Sequence, residues 1–289
     1  MELRDRAKAA DGAELAVTRF PAEGAPWATL LVAGAMGARQ EFYEPLARFL
    51  AENGIHVLTF DYRGMGASRT GPMAGVEADL TTWFEQDLEA MLREARAPGP
   101  GLPAFALGHS LGGQLFGAAA ESARLAAVLT VTAGNGWYRH NDRMPFRVRI
   151  FWFVAVPLLT ALFGYFPGRR VRMVGDLPRG VARQWRRWCL HRDYLLGEGP
   201  AMRARFDAVR APILGWSFED DPLITRVAVD ELHGFYRRAR VERRHVSLPA
   251  GGRARIGHFG FFARASRESL WRESLGWLRA QVTAPAGDR

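Results

Sequence analysis

The stretch 102–113, Leu-Pro-Ala-Phe-Ala-Leu-Gly-His-Ser-Leu-Gly-Gly, decides the fold that we predict for this chain. Its first half is short and apolar, as expected of a buried parallel strand. An Ala-, Leu- and Gly-rich run to Ala123 favours a helix after it. The G-x-S-x-G pattern between them predicts a sharp strand-to-helix turn with Ser110 at a strained position, flanked by glycines because a Cβ there would collide with the adjoining elements. Ser110 is therefore a candidate nucleophile.

A nucleophilic serine needs a general base and an acid that orients it, and two downstream loops offer them. A strand predicted over 211–216 ends in the acidic turn Glu219-Asp220-Asp221. Another, predicted over 241–248, is followed by a Gly-rich loop that contains His258. Because ligands and catalytic groups collect at the carboxyl ends of strands in open α/β sheets, these loops are expected to meet Ser110.

The remaining chain predicts an α/β fold with a mainly parallel sheet and helices on both faces, since short apolar strands alternate with amphipathic segments. Strands 3–9 and 13–20 are expected to form a hairpin around Asp11-Gly12. Further predicted elements are the strands 29–33, 55–60 and 125–131 and the helices 42–51 and 80–95.

Several motifs in this order resemble the serine α/β-hydrolase superfamily, whose members include esterases and lipases. They are the loop Gly34-Ala35-Met36-Gly37 after a strand, the D-x-R-G-x-G-x-S motif at 61–68, the turn at Ser110, and the acid and histidine loops. Segments 177–181, 185–189 and 258–262 resemble a bacterial group of predicted α/β-hydrolases with unassigned substrates. The order serine, acid, histidine is also the superfamily's own. The resemblance implies an α/β-hydrolase fold with a helical cap insertion.

The resemblance also implies roles for individual residues. Ser110 would be the nucleophile, His258 the base and Asp221 the acid, because the acid usually precedes an x-apolar-apolar step, here Pro-Leu-Ile. Asp220 and Glu219 are the alternatives. The oxyanion would be bound by the amide of Leu111 with that of Ala35, or of the neighbouring Met36. Ala33-Gly34 stands where the superfamily usually has His-Gly, which leaves this loop's geometry open.

Residues 137–209 are predicted to form the cap, with 1–136 and 210–289 as the core. The cap contains fourteen arginines against five acidic residues, so its net charge of +9 equals that of the whole chain. Solvated helix faces would explain this charge, as would attraction of an anionic substrate or an anionic membrane.

Residues 150–166 carry no charge but fall short of a membrane span and contain Pro157. We expect a cap helix that is broken near Pro157 and does not cross a membrane. Its apolar side chains should be enclosed, with Phe153 and Phe163 lining an apolar substrate pocket. Dimerisation through the cap and membrane contact are the alternatives.

The function predicted from the sequence is hydrolysis of a carboxylic ester or related acyl bond through an acyl-enzyme. The alternatives are acyl transfer with the same triad and a non-catalytic protein that binds a ligand or partner. No cofactor, metal or nucleic acid is expected, since neither metal-ligand spacing nor a nucleotide or nucleic-acid motif is present. A single cysteine, Cys189, and the absence of an apolar leader predict a cytoplasmic location.

Overall fold

A single mixed sheet organises the fold. The computed structural model describes residues 2–171, 174–247 and 255–283. Within them, eight strands lie side by side in the order β1-β2-β4-β3-β5-β6-β7-β8, and all neighbours are parallel except β1 with β2 and β2 with β4. The strands are β1 (Leu3–Lys8), β2 (Glu14–Phe20), β3 (Ala28–Ala33), β4 (Ile55–Phe60), β5 (Ala104–His109), β6 (Ala127–Val131), β7 (Ile213–Phe218) and β8 (Val241–Val246).

Helices cover both faces of this sheet. Those of eight residues or more, with the short helix after β5, are α1 (Glu44–Glu52), α2 (80–96), α3 (Leu111–Leu115), α4 (Pro145–Phe163), α5 (Arg179–Leu190), α6 (Pro200–Ala208), α7 (Arg226–Gly234) and α8 (267–283). One apolar core contains Met91 of α2, Leu115 of α3 and Leu232 of α7. The other contains Phe49 of α1 and Leu278 of α8. The central strands β3, β5 and β6 are buried along their whole length because both faces are covered.

The predicted α/β-hydrolase architecture is confirmed, and three details differ. The helix that follows Ser110 ends at Leu115 instead of running to Ala123, and a turn at 116–118 and a 3₁₀ helix (Ala120–Arg124) follow it. The apolar cap helix is continuous through Pro157, because a π-helical turn just before the proline accommodates its missing N–H. Strand β8 ends at Val246, and the predicted end at residue 248 lies outside the described residues.

Helices α4, α5 and α6 all lie between β6 and β7, in the region predicted to form the cap. Helix α4 packs on α5, where the guanidinium Nε of Arg186 donates to the carbonyl oxygen of Trp152 at 2.6 Å. The segment between these two helices reaches the loop after β3, since a Cβ added to Gly37 would lie 2.4 Å from the amide nitrogen of Gly175. The region between β6 and β7 therefore adjoins the carboxyl edge of the sheet.

Candidate active site

Ser110 occupies a sharp turn between β5 and α3. Its φ of 51° and ψ of −115° lie in a region that non-glycine residues rarely adopt. A Cβ on Gly108 would lie 2.4 Å from the Gly113 backbone, and one on Gly112 would lie 2.2 Å from the carbonyl oxygen of Ala33. Both glycines are therefore required by close packing. The backbone N–H of Leu111, at the start of α3, donates to no acceptor within the described residues and is available to bind an anion.

His258 and Asp221 form a buried hydrogen-bonded pair. The Nδ1 atom of His258 donates to Asp221 Oδ2 at 2.8 Å, and both side chains are almost fully buried. The other carboxylate oxygen accepts from the amides of Leu223 at 2.8 Å and Ile224 at 3.1 Å. Because Asp221 is held through both oxygens, it fixes the ring of His258 with Nδ1 protonated and leaves Nε2 as the basic nitrogen.

The neighbouring Asp220 has a different set of partners. Its two oxygens accept from the backbone amides of Ile256 and Gly257, each at 2.9 Å. Those amides belong to the loop that carries His258, so Asp220 holds the loop in place without touching the imidazole. Between the two candidate aspartates, this geometry favours Asp221 as the partner of the histidine.

The loop after β3 shows which amide is available to bind an oxyanion. The amide of Ala35 donates to the hydroxyl of Tyr43 at 2.8 Å, and both groups are buried. The expectation that Ala35 supplies the donor is therefore wrong, because its N–H already has a partner. The Met36 amide donates to no acceptor among the described residues, so Met36 remains the candidate with Leu111.

Tyr43 and His109 connect this loop to the histidine loop. Beyond accepting from Ala35, the Tyr43 hydroxyl contacts Nδ1 of His109 at 2.9 Å. On the other side of that ring, Nε2 lies 2.9 Å from the carbonyl oxygen of His258. A carbonyl can only accept, so Nε2 carries the proton and Nδ1 accepts from Tyr43. Three consecutive hydrogen bonds thus join the backbone of Ala35 to the backbone of His258.

Burial fixes the protonation states of Tyr43 and His109 in this row of hydrogen bonds. Desolvation raises the pKa of Tyr43, so its hydroxyl keeps its proton. Desolvation, with the nearby His258, holds the pKa of His109 well below its usual range. His109 is therefore a neutral positioning residue. The network was not foreseen because Tyr43 stands 66 residues away in sequence.

Thr132 is a second residue that sequence reasoning missed. It follows β6 with a φ of 48°, and its hydroxyl donates to Val131 O at 2.8 Å and approaches the carbonyl oxygen of His258 at 3.4 Å. A β-branched residue with positive φ is strained, so this backbone is held by its surroundings. A single threonine after a predicted strand carries no sequence signal for that conformation.

The motif at 61–68 stabilises the fold and does not join the site. The Asp61 carboxylate accepts from the amides of Gln40 and Ala67, both at 2.9 Å. Arg63 donates through Nε to Asp87 at 2.7 Å and pairs with Asp11. These contacts tie the loop after β4 to α2 and to the first hairpin. The motif at 61–68 therefore points to the superfamily's fold and not to its catalytic residues.

The apolar side chains on the outer side of α4 are more exposed than the sequence predicts. Phe146, Ile150, Phe153, Val154, Leu158 and Leu162 are 50–75% exposed, so the expectation that this surface is enclosed is wrong. Phe153 contacts the ring of Tyr138, and Phe163, which is partly buried, lies beneath Arg170 and against Tyr165. The inner side of α4, with Phe151, Trp152, Val156 and Thr160, is buried.

Fold and site together define a serine hydrolase of the α/β-hydrolase superfamily. The model of one of its families, described as serine aminopeptidase S33, matches residues 24–174, just over half of the chain. The chain belongs to this family.

Individual relatives agree with that class. Over 106 residues the chain is 34% identical to human (Homo sapiens) monoglyceride lipase, a match that covers 37% of this chain and 34% of that protein. The structure of a soluble variant of monoglyceride lipase from Saccharomyces cerevisiae, at 16% identity, superposes with a TM-score of 0.69 over 98% of this chain and 96% of that one. A carboxyl esterase from Bacillus coagulans, 14% identical, gives 0.63 over 97% and 99%. At these identities the two structures show the shared fold alone.

Proposed function

We propose that this protein hydrolyses carboxylic esters through an acyl-enzyme formed on Ser110. The observation that carries the proposal is the buried His258–Asp221 pair, hydrogen-bonded at 2.8 Å, beside the strained turn that presents Ser110. The ring of His109, the residue before the serine, lies 5.1 Å from that of His258. An activated serine with oriented imidazole and carboxylate is the arrangement that acyl transfer requires.

In the proposed mechanism, His258 Nε2 takes the proton of the Ser110 hydroxyl as its oxygen attacks the ester carbonyl. The tetrahedral oxyanion accepts hydrogen bonds from the amides of Leu111 and Met36. Nε2 then returns the proton to the departing alkoxide, which leaves as an alcohol and gives the acyl-enzyme. Water, deprotonated by the same imidazole, attacks the acyl carbonyl, and collapse of the second intermediate releases the acid and restores Ser110.

An ester or lipid substrate is favoured by the relatives. The human protein that matches 106 residues of this chain is a monoglyceride lipase, and the structural neighbours include lipases and esterases. The family description names a serine aminopeptidase, so amide cleavage is the reaction against which ester cleavage has to be compared. The same serine chemistry serves both, and the substrate cavity decides between them.

Ser110→Ala tests the nucleophile. The variant should lose labelling by a fluorophosphonate and turnover of p-nitrophenyl esters, with kcat lower by ~10⁴–10⁶, because the attacking oxygen is gone. Ser122→Ala is the matched control, since Ser122 is a buried serine whose hydroxyl has no partner in the described residues. A Ser110→Ala protein that keeps its labelling and its circular dichroism would rule out Ser110.

A substrate panel tests the reaction class. p-Nitrophenyl esters from acetate to palmitate should be turned over with a preference for one chain length, and amino-acid p-nitroanilides should not be. Product analysis in the presence of glycerol or another alcohol separates hydrolysis from acyl transfer. Cleavage of anilides in preference to esters would overturn the ester proposal while leaving the role of Ser110 intact.

A further inference from the structure

The outer side of α4 carries an exposed apolar stripe, which we define as Phe146, Ile150, Phe153, Val154, Leu158 and Leu162. Phe146 is 75% exposed, Leu162 71% and Leu158 61%. Single exposed apolar residues are ordinary on soluble proteins, but a contiguous row along a helix marks an interaction surface. Exposing such a row to water is unfavourable, so something is expected to cover it.

Charge around the stripe indicates what covers it. Residues 143–175 contain six arginines and no acidic residue. Arg143, Arg147 and Arg149 flank the first turns of α4, and Arg169 and Arg170 follow its carboxyl end. None of these five forms an ion pair within the described residues, whereas arginines such as Arg63, Arg93 and Arg205 are paired with carboxylates. An apolar row between unpaired cations complements an anionic lipid surface.

The packing of α4 indicates that it lies on such a surface. By length and composition, Pro145–Phe163 is the one helix of the described residues that could cross a membrane, and 22% of its most apolar window is buried in the protein. Its inner side is held by Phe151, Trp152, Val156 and Thr160, and Arg186 bonds the Trp152 carbonyl. Spanning would require these contacts to be broken, whereas docking uses only the exposed side.

The helix also stands beside the candidate active site. Asn141, just before α4, donates from Nδ2 to the carbonyl oxygens of Pro222 at 3.0 Å and Leu223 at 3.3 Å, next to Asp221. The Arg143 guanidinium donates to the backbone of Glu219 in the same loop. A lipid surface under α4 would therefore adjoin the loop that carries the acid of the triad.

We propose that this protein docks peripherally on anionic bilayers through the stripe and its flanking arginines. The inference does not depend on catalysis, so the Ser110→Ala protein should bind as the wild type does. The full chain should sediment with vesicles of phosphatidylcholine and phosphatidylglycerol, and weakly with phosphatidylcholine alone, and rising salt should release it.

Variants separate the two contributions. Replacing Leu158 and Leu162 together by Ser should lower the vesicle partition coefficient at least tenfold, because two side chains no longer enter the acyl region. Arg147→Gln and Arg149→Gln should each lower it about fivefold on anionic vesicles only. The controls are Val227→Ser, at an exposed apolar position on α7, and Arg264→Gln, at an exposed arginine that forms no ion pair with another described residue. Both should leave binding unchanged.

Three results would overturn the proposal. The first is the absence of vesicle binding by the wild-type chain. The second is a dimer in sedimentation velocity that the Leu158 and Leu162 replacements dissociate while vesicle binding stays undetectable, which would assign the stripe to a second copy. The third is vesicle-bound protein that resists extraction by alkaline carbonate, which would make α4 a span.

Discussion

The carboxyl edge of the sheet and the outer side of α4 contrast in how far their contacts are satisfied within the chain. At the sheet edge, Asp221, His258 and Tyr43 are buried and each has a defined hydrogen-bond partner. On α4, the apolar stripe is exposed, and none of the five flanking arginines forms an ion pair within the described residues. Hydrogen bonds within the chain hold the geometry of the first region, whereas the second consists of exposed side chains that we propose to contact a lipid surface.

The largest effect is expected from the acid at the sheet edge. Asp221→Asn should lower kcat by about 10⁴, because an amide cannot fix His258 in the required tautomer or stabilise its protonated form. Asp220→Asn keeps one acceptor oxygen for the amides of Ile256 and Gly257 and should cost about tenfold or less. Steady-state kinetics on a p-nitrophenyl ester measure both.

Equal losses from the two substitutions would contradict this division of roles. Circular dichroism and thermal melting of both variants serve as the control, because either change could disturb the loop. A variant of the stripe on α4 provides the comparison, since loss of one exposed stripe residue should leave kcat on a soluble ester unchanged.

A smaller effect is expected at Tyr43. Tyr43→Phe removes the acceptor of the Ala35 amide and the donor to His109, leaving two buried groups without partners. Because the neighbouring Met36 amide would shift, kcat should fall about tenfold with little change in KM, equivalent to about 1.4 kcal/mol in the barrier. Tyr62→Phe is the matched control, since the buried Tyr62 hydroxyl has no hydrogen-bond partner in the part of the chain that the structure describes. An unchanged kcat would show that the network does not position the loop.

The third effect concerns stability instead of catalysis, and it is a dependence of the free energy of unfolding on pH. Burial lowers the pKa of His233, on α7, from 6.5 to about 4. The unfolded chain therefore binds a proton at higher pH than the folded protein does, so this group's contribution is present above pH 6.5 and is lost as pH falls towards 4. Between pH 7.5 and 5 the free energy of unfolding should fall by about 2 kcal/mol from this group.

Urea titrations of the wild type and His233→Gln at both pH values measure that loss. The pKa of Asp87, raised by burial to about 6, acts with the opposite sign over the same range. The quantity to compare is therefore the difference between the two proteins, in which the contribution of Asp87 cancels. Identical pH slopes would show that His233 does not have a depressed pKa.

Sequence patterns were sufficient wherever the chemistry is local. Gly108, Gly112 and the serine between them predict the turn, because the steric need for glycine is set by adjacent backbone. The parallel strands follow from their apolar runs, and β3 to β8 do form the parallel part of the sheet. Local rules also placed the acid loop and the histidine loop at one edge.

What escaped prediction depends on contacts between distant segments. Nothing in the order Ala35-Met36 indicates which amide is taken by the hydroxyl of Tyr43. The exposure of α4 escaped for a related reason, since the 17 uncharged residues 150–166 are equally consistent with a buried, lining or surface helix. The sequence shows that the helix is apolar, but the elements packed against it decide which of its faces is exposed to water.

The π-helical turn Phe151–Ala155 sets the phase of α4. In an α-helix of 3.6 residues per turn, positions four apart drift by about 40° at each step, so the four steps from Phe146 to Leu162 would drift by about 160°. That drift would wind a row of side chains halfway around the helix. One extra residue in a turn rotates everything after it back by about 100°. The wider turn therefore works as a phase correction, which keeps Phe146 and Leu162 on one side of a helix almost 20 residues long.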